Sequence, residues 1–255
     1  MAPAAMKRRR WLLPGLLPAV LLLVPVWAHA QSVNIDLGAA GQPGATARIV
    51  QLTVLVTVLS LAPSLLVMTT AFTRIVIVLS LLRNALSTQG TPPNVVLVGL
   101  ALFLSFFVME PALDRAWSDG IQPMTEGRIS EADGLRLATA PFHDFMTENV
   151  RDEDLRFFLD LGHMPPAENP EATPWRALIP AFVVGEMRRA FEMGFLLFLP
   201  FLIIDVVVAS ILMSLGMMML PPSAVSLPFK LIFFVLVDGW RLISGSLIQS
   251  FVSGS

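Results

Sequence analysis

Apolar and polar positions fall in long blocks along this chain. Arg48 is followed by a charge-free run from Ile49 to Thr73, and Arg83 by a second from Asn84 to Met109. Each exceeds the ~20 residues a helix needs to cross a hydrocarbon core. Residues 110–176 differ: Phe142, Phe145, Met146, Leu155, Phe158 and Leu159 recur at helical spacing, with Asp144, Glu148, Asp152 and Glu153 between them. That pattern predicts one amphipathic helix over 142–159, whose apolar stripe must be covered by its own chain or by a neighbouring subunit. From Trp175 the chain is apolar again, in stretches 177–184, 191–204, 206–229, 231–237 and 242–252. Gly216 and Pro221-Pro222 mark a turn, so this part reads as a helical hairpin with arms punctured by charges. Hydropathy alone gives four spans.

The first thirty residues have the three parts of a secretory signal: Lys7-Arg8-Arg9-Arg10, an apolar stretch from Trp11 to Trp27, and a small-x-small site at Ala28-His29-Ala30. A retained first transmembrane helix is the alternative. Pro14, Pro18, Pro25 and the polar Gln31-Ser32 favour cleavage, and Met6, just before the basic run, is a second possible start. Arg74, Arg83, Asn84 and Thr88–Pro93 read as a basic turn, which the positive-inside rule places in the cytoplasm. Residues 110–176 hold fourteen of the nineteen acids and six of the seventeen basic residues, which suits the opposite, periplasmic face. The expected organisation is a signal peptide 1–30, a flexible lead-in 31–47, an N-terminal apolar hairpin 48–109, an acidic helical region 110–176 and a C-terminal apolar hairpin 177–255.

Composition turns this pattern into a class. Of 255 residues, 55% are hydrophobic and only 14% charged, against about 25% charged in a soluble domain. With a mean hydropathy of +0.72, an ordinary soluble enzyme and a disordered chain are both excluded. The expected fold is all-α, membrane-associated, and broken by some of its twenty prolines and sixteen glycines. A net charge of −2 with scattered basic residues leaves no footprint for nucleic acid. There is no cysteine, no H-E-x-x-H, no P-loop and no G-x-S-x-G; outside the signal, His143 and His163 stand twenty residues apart. No metal, cofactor or enzymatic activity is expected. Asp205 and Asp238 raise an intramembrane aspartyl protease, which the following Gly239-Trp240 does not support.

Charges inside apolar helices are the candidate functional groups, because an ion in lipid is expensive unless it meets a partner or a water-filled path. Arg74, Glu186, Arg188, Arg189, Glu192, Asp205, Lys230, Asp238 and Arg241 are so placed. Glu186 with Arg189, and Arg188 with Glu192, are spaced to pair along one helix. With a turn near 220–222, Asp205 would lie level with Asp238, and Lys230 about eight residues, or ~12 Å of helical rise, nearer the turn. Lys230 would then reach Asp205 only from a staggered neighbouring subunit, and reversing both charges should partly restore assembly. A proton or ion relay through Asp205 and Asp238 is the rival reading. Met217, Met218 and Met219, between Gly216 and Leu220-Pro221-Pro222, form a corner. Composition favours plain apolar filler there, while methionine's deformability suits an adaptable closure.

Several strings go further. Leu59–Arg74 (LSLAPSLLVMTTAFTR), Gly90–Asn94 (GTPPN), Phe198–Asp205 (FLPFLIID), Met217–Pro222, Leu227–Lys230 (LPFK) and Phe234–Trp240 (FVLVDGW) resemble the FliP family of type III export-gate proteins and its injectisome counterparts. The similarity runs from about Arg48 to Phe251. It implies a non-enzymatic subunit of the inner membrane and flagellar basal body. Broken helical hairpins would assemble as a homo-pentamer, with FliQ-like and FliR-like siblings, into a helical ring with a central pore. Unfolded flagellar subunits would pass through that pore with other export components supplying energy, and Met217, Met218 and Met219 would act as its gasket. The resemblance also implies that the gate stands largely above the bilayer, against the four-span count. An ion-coupled channel or small transporter subunit is the alternative function.

Overall fold

Thr69, Thr70 and Ala71 interrupt the first apolar run. The computed structural model describes residues 45–252 apart from Gln89, Glu168 and Met218; the expected signal 1–30 and most of the lead-in 31–47 lie outside these. Helix α1 is Ala45–Met68 and α2 is Phe72–Ala85, so the stretch read as one span from Ile49 to Thr73 is two elements. The Thr69 and Thr73 hydroxyls donate to the Leu65 and Val67 carbonyls at the break, stitching it with side-chain bonds in place of water. Arg74 and Arg83 therefore sit within a helix, and the polar turn is confined to residues 86–93.

Helix α3, Asn94–Arg115, runs on through a π-helical stretch Ala116–Ile121 into the short α4, Gln122–Thr125. Helix α5, Glu131–Asn149, starts at Ser130, whose hydroxyl accepts from the Asp133 N–H at 3.1 Å, an ordinary N-cap. Helix α6, Asp152–Leu161, carries Asp152, Glu153 and Asp154 in its first turn, where the helix dipole favours acids. The amphipathic helix expected over 142–159 is thus two helices, parted at Val150-Arg151. Part of its stripe is covered by its own chain: Phe145 and Met146 pack on Leu178 and Phe182.

Helix α7, Trp175–Ser214, is a single rod of 40 residues despite Pro180 and Pro200. After the corner come α8, Pro222–Leu236, and α9, Gly239–Val252, bent by 63° from each other. Among the described residues two helical segments are long and apolar enough to span a membrane, Asn94–Thr125 and Trp175–Ser214, with a third if α8 and α9 form one bent span. Hydropathy counted four because it read Ile49 to Thr73 as one further span, which the break at Thr69–Ala71 divides between α1 and α2.

Residues 56–255 form one compact unit centred on α2. Ile75, Val78, Leu79, Leu82 and Ala85 follow the helical stripe and are buried against Leu97 and Ala101 of α3, Ala190 and Phe201 of α7, Phe234 of α8, and Ile243, Leu247 and Phe251 of α9. Close approach is decisive at Gly120, where an added methyl would lie 2.5 Å from the Ala138 backbone nitrogen. Gly120→Ala should cost about 1–3 kcal/mol through overpacking of the α5 seam, read as a lower melting temperature in detergent. Gly99→Ala, with no atom within 4 Å of the added carbon, should leave it unchanged or raised.

Candidate functional site

The α7–α8 corner is set by two residue types acting in opposite directions. Gly216 takes φ +74° and stops α7 at Ser214, the left-handed exit that glycine provides most cheaply. Pro222 opens α8, where its fixed φ and missing N–H do no harm. The connection is therefore centred on residue 218, not on Pro221-Pro222. Met218 itself lies outside the described residues. Met217 is 44% exposed and Met219 98%.

That shift corrects the expected register. Asp205 stands nine residues before the end of α7 and Lys230 eight after the start of α8, so the two are level within one hairpin. The Lys230 ammonium donates to Asp205 Oδ2 at 2.7 Å, and no neighbouring subunit is needed to complete the pair. Asp238 is not level with Asp205. It occupies the α8–α9 bend with φ +51°, and its largely exposed carboxylate lies 4.0 Å from Arg241. Eight positions along the chain, about 12 Å of helical rise, separate it from Lys230, so the two acids do not adjoin as a relay would require.

Lys230 is 1% exposed and all three of its protons are used. Besides Asp205, it donates to the Ala85 carbonyl at 3.0 Å and to Ser87 Oγ at 2.8 Å. Ser226, four residues earlier on the same face of α8 and fully buried, donates to Asp205 Oδ1 at 2.5 Å. The cation also lies at the C-terminal end of α2, where the helix dipole favours positive charge. One nitrogen thereby joins α2, α7 and α8.

A second buried pair lies at the other end of α2. Arg74, 1% exposed, grips Glu186, fully buried, through Nε at 2.8 Å and Nη2 at 2.5 Å. Its Nη1 donates to the Ser250 carbonyl at 3.1 Å and hydroxyl at 2.9 Å, and its guanidinium lies 3.7 Å from the Phe251 ring centre. Arg189 approaches Glu186 only at 3.6 Å, and donates to the Asn149 carbonyl at 2.7 Å. The primary partner of Glu186 is thus Arg74, 112 positions away in sequence, while Arg188 and Glu192 pair along α7 as spacing predicts, at 3.1 Å. This fork–fork contact fastens α2 to α7 and to the end of α9.

Sequence reading missed Ser87, Ser226 and Ser250. Ser226 carried a signal in its four-residue spacing from Lys230; Ser87 and Ser250 carried none. Among the described residues no group of three or more His, Asp or Glu could hold a metal. His143 Nε2 donates to the buried Thr173 carbonyl at 2.8 Å and its ring meets Trp175 edge-on, a placement that ties α5 to the start of α7.

Comparison with known proteins covers nearly the whole chain. The FliP family profile matches residues 55–247. The flagellar biosynthetic protein FliP of Caulobacter vibrioides is 51% identical over 249 residues, 97% of this chain and 93% of that protein. Its namesake in Pectobacterium carotovorum is 50% identical over 94% of this chain and 93% of the relative, and that of Bacillus subtilis 47% over 85% and 98%.

Proposed function

Because the chain belongs to the FliP family, we propose that it is a pore-forming core subunit of the flagellar type III export gate. It assembles as a homo-pentamer with FliQ-like and FliR-like siblings and conducts unfolded flagellar subunits across the inner membrane. It works by assembly and gating, and the energy for export comes from other components.

The observation that carries this reading is the contrast at the hairpin. Its ions are drawn inward onto Lys230 and Asp205, whereas its apolar tip is turned out, with Met219 98% exposed and Leu215 66%. A tip of unbranched, deformable side chains can close around an extended polypeptide and reseal behind it. The flanks agree: Phe103, Phe107, Leu196, Ile203 and Val235 are each more than half exposed, an apolar surface that lipid or further copies must cover.

Deleting Met217–Met219 in the full chain, expressed with the other export components, should make cells permeable to small solutes while the detergent-solubilised assembly keeps its mass. A barrier that stays tight overturns the gasket role. Purified chain alone in liposomes should carry no proton flux; a flux would favour an ion-coupled channel.

A further inference from the structure

We propose that Ser87 is a positioning residue of this hairpin: its hydroxyl is the acceptor that lets Lys230 tie the methionine-bearing α7–α8 hairpin to the end of α2. The mechanical consequence rests on the reading of that hairpin as the closing element of the conduit; the contact itself does not.

Ser87 follows the last turn of α2 with φ +58°, a left-handed conformation in which glycine is the usual occupant and a side chain carries strain. Two glycines take the same left-handed conformation where no side chain has to reach anything. Gly90 at φ +85° and Gly216 at φ +74° both turn in open space, with no atom within 4 Å of an added Cβ. Ser87, His163 and Asp238 hold positive φ without being glycine, and at position 87 the side chain meets a buried cation. An ammonium group has three protons, and Lys230 is too buried for bulk water to take any of them. Asp205 and the Ala85 carbonyl accept two, and Ser87 Oγ accepts the third at 2.8 Å. Without that hydroxyl one proton of a buried cation is orphaned, an expensive arrangement. The strained serine and the buried lysine therefore explain each other. Ala85 and Ser87 belong to α2 and its turn, Asp205 to α7 and Lys230 to α8, so loss of the hydroxyl loosens the hairpin from the core helix without touching the methionines.

Three substitutions separate hydroxyl from backbone. Ser87→Gly relieves the left-handed strain but offers no acceptor, Ser87→Ala offers none and keeps the strain, and Ser87→Asn tolerates the conformation and brings an amide oxygen. The readout is direct, because Lys7 and Lys230 are the two lysines of the sequence. Acylation of Lys230 by a water-soluble N-hydroxysuccinimide ester can be followed by peptide mass spectrometry on the purified, detergent-solubilised full chain. Relative to the unsubstituted chain, Ser87→Gly and Ser87→Ala should label about tenfold faster, the scale set by an orphaned buried donor. Ser87→Asn should remain protected. Unchanged labelling in Ser87→Gly overturns the proposal, since backbone alone would then explain the position. Equal acceleration in all three also overturns it, since packing rather than an acceptor would be at stake. In cells, Ser87→Gly should raise small-solute leakage several-fold. Accelerated labelling with a tight barrier would leave the tie standing and remove the conduit reading instead.

Discussion

Glu186→Ala should lower stability by about 3–5 kcal/mol, because it leaves the Arg74 guanidinium buried in the core without its counter-ion. Arg74 keeps the Ser250 carbonyl and hydroxyl and the Phe251 ring, which are neutral and cannot replace a carboxylate. Arg74→Met should be milder, since Glu186 still has Arg189 at 3.6 Å. The double substitution Arg74→Met with Glu186→Leu should be milder still than Glu186→Ala, because replacing both ions by apolar groups of similar volume removes the desolvation penalty together with the attraction. Thermal melts of the detergent-solubilised chain give the order. A Glu186→Ala chain as stable as the double variant would mean that the charge at Arg74 reaches water.

At the hairpin the asymmetry runs the same way. Asp205→Ala should cost about 3–5 kcal/mol, because Lys230 at 1% exposure keeps two neutral acceptors and no anion. Lys230→Met should cost less, about 1–3 kcal/mol, since the Asp205 side chain is 28% exposed and can draw on solvent and on Ser226. Exchanging the two charges in one chain should not restore function: an aspartate at position 230 would face the Ala85 carbonyl, acceptor against acceptor. Co-expressing one chain carrying Asp205→Lys with another carrying Lys230→Asp should fail as well. Restoration in that mixture, read as swimming or as recovery of the assembled particle, would show that the pair bridges subunits and not the arms of one hairpin.

The register of this pair shows where sequence reasoning stops. Both turn signals, Gly216 and Pro221-Pro222, were visible, and weighting the prolines moved the centre three to four residues along. On two antiparallel helices each residue of displacement shifts the level of the partner by twice the rise per residue. That small error sufficed to send Lys230 out of reach of Asp205 and to bring Asp238 beside it. Helix α2 shows a different limit. Its sequence stripe of Ile75, Val78, Leu79 and Leu82 is legible, but a charge-free run of the right length before it was easier to read as a membrane span than as a helix, a threonine-stitched break and a core helix. Arg74 looked like the edge of a basic turn because nothing local reveals a partner 112 positions away.

Local chemistry was enough to determine the class of this protein: an all-helical chain too poor in charge for water, helix ends marked by glycine and proline, an acidic middle segment, a methionine corner and family strings that span it. Tertiary structure alone decided the partners of the buried ions, the split of the amphipathic segment into two helices, and the serine that receives Lys230. The physical reason is one of range. Hydropathy, capping and turn preference act over one or two turns of chain and are written there. A buried charge is satisfied by whatever the folded core brings to it: for Arg74 a carboxylate 112 positions away, and for Lys230, beside Asp205 of its own hairpin, a carbonyl 145 positions away.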